Sequence, residues 1–535
     1  MAASEIPVLI VGGGPVGLSL AIELGWRGVP CLLVEQRDGS IKVSKMNMAN
    51  MRVMEHCRRW GIEREVRNAG WPKDYPMDFA LLTSMAGYEI FRGRHPSDRE
   101  RRSAVSPAPL QRCQQSWFDP ILARHAASYP TVRLRYRCRL ESFREEADGI
   151  LARLVDRESG AREEVHAGVL AACDGAHSEV REAVGIAMRG SPALDHNMNI
   201  FFRAPGFLEA SDKERAVNYF MMEPAGISLT LSAADGHDYW RLGCRVGPED
   251  REEDFDGDRL IRKFMGADLD YEIVNVMKWT RAELVAERLR KGSVFLAGDA
   301  AHQLTPHGGM GMNTGISDAV DLGWKLAALH DGWGGPALLD SYDAERRPVA
   351  ERVVASATSF FKTLSALPRG PEIAEASEAG ERLRRRIAEA CAALPVHFTH
   401  ESEGLQLGYR YDPSPICVDD GSAPPPDGLA SYTPSARPGS RAPHAWLEQG
   451  LSVIDHFGRG FTLLRFDQAA EVQPLVAAAR ARHLPLSIVD IARPDIAALY
   501  ERKLVLVRPD GFVAWRADKP PLDSAALIDR VRGAI

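Results

Sequence analysis

The residues best suited to chemistry lie in Leu296-Ala-Gly-Asp299-Ala-Ala-His302 and in Pro306-His307-Gly308-Gly309-Met310-Gly311-Met312-Asn313. Asp299 closes the apolar run Ser293-Val-Phe-Leu296, where a carboxylate can hold a sugar or polyol hydroxyl. Gly308, Gly309 and Gly311 lack side chains, so backbone can lie flat against a ligand. A helix opening at Met312-Asn313 presents free N–H groups and a positive dipole end. A ligand that becomes anionic is stabilised there. Reduced flavin is such a ligand, because negative charge develops at its N1–O2 edge. Taken alone, Asp299-Ala-Ala-His302 reads equally well as a helix start with a capping Asp.

A second pattern opens the chain. Gly12, Gly14 and Gly17, with Pro15 and Val16 between them, follow the apolar run Pro7–Val11 directly. Leu18, Leu20, Ala21 and Leu24 form a helix face, and Cys31–Val34 is a second strand ending in Glu35. This is a full βαβ dinucleotide fingerprint with an acidic residue ~20 positions on. Glu35, with Gln36 and Arg37 beside it, is the candidate for adenosine ribose. Lys45 and Arg52 are candidate cations for a pyrophosphate or a second nucleotide, or else solvated helix charges. Arg112 and Gln115 either face the cofactor or form an exposed polar helix start. Asp174, in Cys173-Asp-Gly175 after another apolar strand, either fixes groups near the pyrophosphate or caps a helix.

The elements between these motifs must position them. Phe79–Leu82 and Tyr88–Phe91 read as strands in a second sheet. Val132–Tyr136, Leu140–Phe143, Ile150–Val155 and Glu163–His166 read as antiparallel strands leading into Val169–Cys173. Residues 195–285 are strand-rich, and Phe201, Tyr219, Met221, Met222, Tyr239 and Trp240 are candidates for a cavity wall or for sheet core. Helices are expected from Leu338 to Leu364 and from Glu372 to Leu394. Residues 411–443, rich in Pro, Ser and Gly, read as a linker or docking loop. Strands at Phe461–Phe466 and Leu486–Asp490, a hairpin around Pro509-Asp-Gly511 and a last helix at Ser524–Arg532 follow.

Composition bounds the function. The 535 residues predict roughly three or four domain-sized units. A net charge of -7 and a pI of 6.1 argue against a nucleic-acid partner. No apolar run reaches the ~18 residues of a membrane span. The eight cysteines stand singly with no CxxC, which fits reduced cytoplasmic thiols and gives no metal signal.

Three signatures occur in order: Gly12-x-Gly14-x-x-Gly17 with Glu35; Cys173-Asp174-Gly175 with Arg181; and Gly298-Asp299 with Pro306 and Gly309-x-Gly311-Met312-Asn313. Tyr342-x-x-Glu345-Arg346-Arg347-Pro348 is a fourth. Together they resemble the single-component, FAD-dependent aromatic hydroxylases, with the phenol hydroxylase-like branch the nearest match, over residues 5–364. The resemblance implies an α/β fold. A Rossmann-like FAD-binding domain (1–75, 106–190 and 286–400) is interleaved with a β-sheet substrate domain (76–105 and 191–285). A thioredoxin-like domain fills 401–535, and without CxxC it implies packing or subunit contact, in a possible homodimer, rather than redox work.

The resemblance also assigns pyrophosphate to Gly12–Gly17, ribose to Glu35, ribityl to Asp299 and flavin ring to Gly311–Asn313. It implies a phenolic or polycyclic aromatic small molecule as substrate, NADH or NADPH, and O2 activated as a flavin C4a-hydroperoxide. Phe201, Met221, Tyr239, Pro306, His307 and Gly308 are the candidate substrate contacts. His307, Tyr219 and Tyr239 are candidate bases, or are structural. Met310 stands where many relatives carry Gln, and Lys45 and Val53 where Arg and Thr or Ser are common. Baeyer–Villiger insertion, epoxidation, a flavin dehydrogenase and a non-catalytic dinucleotide sensor are the competing readings. Halogenation is unsupported, because no W-x-W-x-I-P stretch is present.

Overall fold

Apolar strands buried on both faces build the first sheet of the computed structural model, which describes residues 4–41, 43–394 and 402–535. The order is Arg290–Lys291, Val294–Leu296, Arg162–Ala172, Ser4–Val11, Cys31–Glu35 and Val132–Tyr136. Its four inner pairings are parallel, the arrangement expected of near-continuous apolar runs. Glu163–His166 and Val169–Ala172, expected as separate strands, are one strand. It runs parallel to Ser4–Val11 on one side, and its first half pairs antiparallel with Gly149–Asp156 on the other. Strand ends from three segments therefore converge, and the glycine turn, Asp174 and Asp299 all lie at that edge. The helices Pro15–Arg27 and Gly311–His330 pack on each other beneath it. Their closest approach is set by Gly315, where a Cβ would meet Val16 at 2.7 Å and the Gly298 Cα at 2.9 Å.

The second sheet runs His302–Gln303, Glu272–Ala286, Met188–Arg203, Tyr239–Val246, Gly226–Ala233, Asn218–Glu223, Phe79–Leu82 and Glu89–Gly93. Period-two alternation gives it two unlike faces. Ile200, Phe202, Tyr219, Met221, Leu229, Leu231, Trp240 and Leu242 form one, sealed by Leu260, Ile261, Phe264 and Met265 of the helix Gly257–Met265. Direct cross-strand partners place Asn197, Asn199, Phe201, Arg241, Arg245, Ser232, Thr230 and Asn218 on the other. The helix Glu378–Ala393, expected within the FAD-binding segment 286–400, instead packs Leu383, Ile387 and Cys391 under the Phe79–Phe91 end of this sheet. The domain boundary at 400/401 lies outside the described residues.

The C-terminal sheet, in the order Leu486–Asp490, Phe461–Arg465, Leu504–Val507, Val513–Ala517, carries the helices Gln473–Ala481, Pro494–Tyr500 and Ser524–Val531. Its hairpin turns at Gly511 with φ +86°, which favours glycine. The 411–443 stretch docks: Ala436, Arg437, Ser440, Arg441 and Ala442 are all buried. None of the eight cysteines is paired. Among the described residues, no helix is long and apolar enough to cross a membrane.

Candidate active site

The glycine turn is cut to fit a dinucleotide. A Cβ on Gly12 (φ +109°) would meet the Cys173 carbonyl oxygen at 2.2 Å, and one on Gly17 would meet the Gly12 carbonyl oxygen at 2.0 Å. Gly14 differs, since a Cβ there would meet nothing within 4 Å. Gly12 and Gly17 are thus required by packing, and Gly14 faces open space. The helix beyond begins with Pro15 and has no side-chain cap, so its first N–H groups are free to meet phosphate. Glu35 accepts from the Gly13 N–H at 2.7 Å and from the Arg37 N–H at 2.8 Å, which fixes its carboxylate beside the turn.

Asp174 accepts from the Val180 N–H at 3.2 Å through one oxygen and leaves the other buried without a partner. Burial pushes its carboxyl above the usual range. An orphan acceptor costs free energy unless a ligand hydroxyl fills it. Asp299 lies in a short 3-10 turn, Gly298–Ala300, and is exposed there. Surrounding protein raises its carboxyl, while His302 and Lys45 pull it back down. These unfilled acceptors and the bare helix start fit FAD.

The turn is held from beneath by a buried network. Asp318 accepts from the Gly298 N–H at 3.1 Å, from His302 Nε2 at 2.7 Å and from Arg346 Nε at 2.8 Å. Arg346 also donates to the Thr314 carbonyl. The following loop reverses at Gly308 (φ +78°) and Gly309 (φ +63°), and the helix Gly311–His330 begins without a side-chain cap. The Asn313 side chain is taken up by the protein itself. Its side chain accepts from the Asn50 N–H and donates to the Met48 and Gly309 carbonyls. It ties the 48–50 stretch and the Gly309 loop to its own helix, so only its backbone N–H, with those of Gly311 and Met312, is left for a flavin ring.

The polar face of the second sheet looks onto this loop. Arg281, paired with Asp195 at 2.8 Å, reaches His307 Nδ1 at 3.3 Å and the Asn197 side-chain oxygen at 3.2 Å. Phe360 and Phe361 flank the His307 ring at 5.5 and 5.4 Å. Further along the face, Arg241 donates to Ser232 Oγ at 3.2 Å and, among the described residues, has no carboxylate partner. Burial lowers its pKa. Arg112 stacks 4.5 Å over Trp71 and donates to the Ala233 carbonyl, and burial with the Arg241 charge lowers it to about 9. The two guanidinium groups are near enough to repel each other, and among the described residues neither has a carboxylate in salt-bridge contact.

Several expected site residues lie elsewhere. Tyr219 is fully buried on the apolar face, where its hydroxyl donates to the Glu214 carbonyl and accepts from the Ala216 N–H. Burial raises its pKa, so it is core and not a base. Met221 sits on the same apolar face, away from the cleft. Tyr239 is 44% exposed at a strand end, unlike a base shielded from water. Phe201 does lie on the polar face. Arg52 is committed to Glu55 and the Asp510 carbonyl and lies 5.3 Å over the Phe512 ring, so it docks the C-terminal domain. Arg112 faces the substrate sheet. Gln115 holds the Lys45 N–H and Asp119, and so positions the Lys45 loop.

Asp195, Arg241, Arg281 and Asp318 were not singled out for the site from sequence, and Arg346 was read only as part of the Tyr342–Pro348 signature. A usable signal existed in Asn197-x-Asn199 and Arg241-x-x-x-Arg245, polar residues repeating with even spacing on otherwise apolar strands.

Comparisons with known proteins agree with this geometry. Residues 5–357 match the FAD binding domain family, and residues 435–534 match the aromatic-ring hydroxylase C-terminal family. The chain is 33% identical to aklavinone 12-hydroxylase RdmE of Streptomyces purpurascens, over 98% of each chain. The solved structure of the rebeccamycin biosynthetic enzyme RebC with reduced flavin superposes with a TM-score of 0.92 at 40% identity, covering all of both chains. A ternary complex of aklavinone-11 hydroxylase with FAD and aklavinone gives a TM-score of 0.83 at 31% identity over 99% of each. The chain belongs to the FAD-dependent aromatic-ring hydroxylases, the flavoprotein monooxygenases that add oxygen to aromatic substrates.

Proposed function

We propose that the enzyme uses NADH or NADPH and O2 to hydroxylate a phenolic, polycyclic aromatic substrate that carries an acidic group. One observation carries the substrate class: among the described residues, neither Arg112 nor Arg241 at the polar face has a carboxylate bonded to it. Burying a guanidinium unpaired is costly, and an anionic substrate group removes that cost. The related structures support a large aromatic ligand, since one is soaked with chromopyrrolic acid and another holds aklavinone.

Gly12, Gly14, Gly17, Glu35, Asp174 and Asp299, with the first turn of Gly311–His330, would hold FAD. When bound, it supplies electron transfer and oxygen activation. The chain's own residues orient the reactants and keep water out. Phe201, Phe360 and Phe361 give the ring plane apolar walls, and Arg241 fixes its acidic end. The loop from Pro306 to Met310 closes the space against the sheet. The division into FAD-binding, substrate and C-terminal domains at the boundaries given above, apart from Glu378–Ala393, is part of this reading. So are a cytoplasmic location, supported by the unpaired thiols, and a homodimer, which light scattering would test.

The experiment is NAD(P)H oxidation by the FAD-loaded enzyme against polycyclic phenols with and without a carboxylate, with product masses recorded. Faster oxidation with the acidic members and a product heavier by one oxygen is the expected result. Slow oxidation with no oxygenated product across the panel overturns the proposal.

A further inference from the structure

His307 is the one imidazole on the flavin-side loop, and the obvious role for it is a base. Its hydrogen bonds argue otherwise. Arg281 approaches Nδ1 at 3.3 Å. A guanidinium can only donate, so Nδ1 must be the acceptor. Thr305 Oγ also lies 3.3 Å from Nδ1, but its hydroxyl proton is used on the Ala357 carbonyl at 2.9 Å. It therefore neither demands nor supplies a proton at the ring. With Nδ1 accepting, the ring proton of the neutral imidazole resides on Nε2.

Arg281 cannot easily swing away and free Nδ1. It is fixed by Asp195 at 2.8 Å and by Asn197 at 3.2 Å, and Phe361 lies 4.4 Å from its guanidinium. The charged groups facing the ring from the packed strands are Arg281, Arg245 and Asp195, and the long helix Asp340–Ser365 contributes only the neutral Phe360 and Phe361. Burial disfavours a second proton, and two cations against one anion add to this, holding the imidazole at about 3. Among the described residues Nε2 has no hydrogen-bond partner, and His307 is only half-buried, which leaves the Nε2–H for a ligand.

We propose that His307 is a fixed hydrogen-bond donor, its Nε2–H directed at an oxygen of the bound aromatic, and that it stabilises the phenolate there while Arg281 and Asp195 act as its positioning residues. The phenol proton leaves to solvent, and His307 keeps its own throughout. This rests on the aromatic-hydroxylase reading only for the identity of the oxygen that Nε2–H meets.

Two measurements on the full-length, FAD-loaded chain test it. In long-range 1H–15N spectra of histidine-labelled protein, the His307 ring is assigned by its absence in H307Q. The expected signature is the Nε2–H tautomer, unchanged from pH 8 to 5. The Nδ1–H tautomer, or a titration near 6.5, overturns the proposal. This readout needs no substrate, so it stands even if no oxygenated product is ever found.

Alizarin, a tricyclic phenol whose colour reports ionisation, then probes the donor. Its half-ionisation pH when bound should lie below the free value. H307L should weaken the ionisation constant about tenfold, and H307Q, whose side-chain amide restores a donor near Nε2, should return most of it. An equal loss in both variants, no effect of H307L, or no spectral change on adding alizarin counts against a donor facing an aryl oxygen.

Discussion

Two regions of this protein treat their arginines in opposite ways. At the junction of the FAD-binding and C-terminal domains, charge is matched almost atom for atom. Arg508, from the C-terminal sheet, donates to Glu345 at 2.9 Å, Asp321 at 3.1 Å and Asp510 at 2.7 Å. Lys325 bonds Asp321 and Glu345 at 2.7 Å each. Arg441 forms a two-pronged pair with Glu55, which also accepts from Arg52. On the polar face of the substrate sheet, Arg112 and Arg241 have carbonyl or hydroxyl contacts and, among the described residues, no counter-ion. A buried cation whose partners come from the protein is fold, and one whose partner must come from outside is a binding site.

The comparison breaks most visibly at Arg508. Arg508→Met leaves three carboxylates close together with Lys325 as their main remaining partner, a loss of about 3–5 kcal/mol for an opened buried network. Urea unfolding should show that loss, with the C-terminal domain released first under limited proteolysis. A variant as stable as the parent would mean that the junction is latched by its apolar contacts alone.

The junction should also carry a pH signature that the substrate face lacks. Arg441 and Arg52 overcome burial and hold the Glu55 carboxyl at about 2, below the ordinary 4.5. A carboxyl lowered by folding stabilises fully above its unfolded value and loses that stabilisation as pH falls through its folded one. The window is therefore pH 4.5 down to 2, and a shift of this size corresponds to about 3 kcal/mol. Glu55→Gln should lower stability at pH 7 and flatten its dependence across that window. A parallel slope in parent and variant would place the acid sensitivity elsewhere.

Arg241→Met sharpens the contrast from the other side. It removes an uncompensated charge and keeps most of the stem, so stability should hold or rise slightly. Binding of a carboxylated polycyclic phenol should weaken by about 1.5–3 kcal/mol, roughly ten- to a hundredfold in Kd. Its neutral analogue should be nearly unaffected. Equal weakening of both ligands would make Arg241 a packing residue.

How far the sequence could be read follows the same division. The glycine turn, the strands that carry it and Asp299 were legible because their signals are local: one backbone requirement or one apolar run each. Gly12 and Gly17 sit within 2.2 Å of where a Cβ would strike backbone, which only glycine tolerates. Roles set by tertiary pairing were not legible. Asn313 and Arg52 have the residue types of ligands, yet their polar atoms are used by loops and strands hundreds of positions away. Tyr219 and Phe201 both read as wall candidates, and strand parity sends one into the core and the other to the cleft.

Tyr219 supplies the smallest effect, and a useful one because the residue type invites a catalytic role. Its hydroxyl bridges the Glu214 carbonyl at 2.9 Å and the Ala216 N–H at 2.8 Å, on the face opposite the cleft. Tyr219→Phe deletes both bonds and nothing else, so stability should fall by about 1 kcal/mol. Turnover, and its pH profile, should stay within twofold of the parent at a temperature where both are folded. A general base contributes 10²–10⁴-fold, so a catalytic Tyr219 would collapse turnover while leaving stability near the parent. The two outcomes differ in sign on each axis, and a thermal melt beside one pH–rate curve separates a tyrosine that holds the sheet from one that touches substrate.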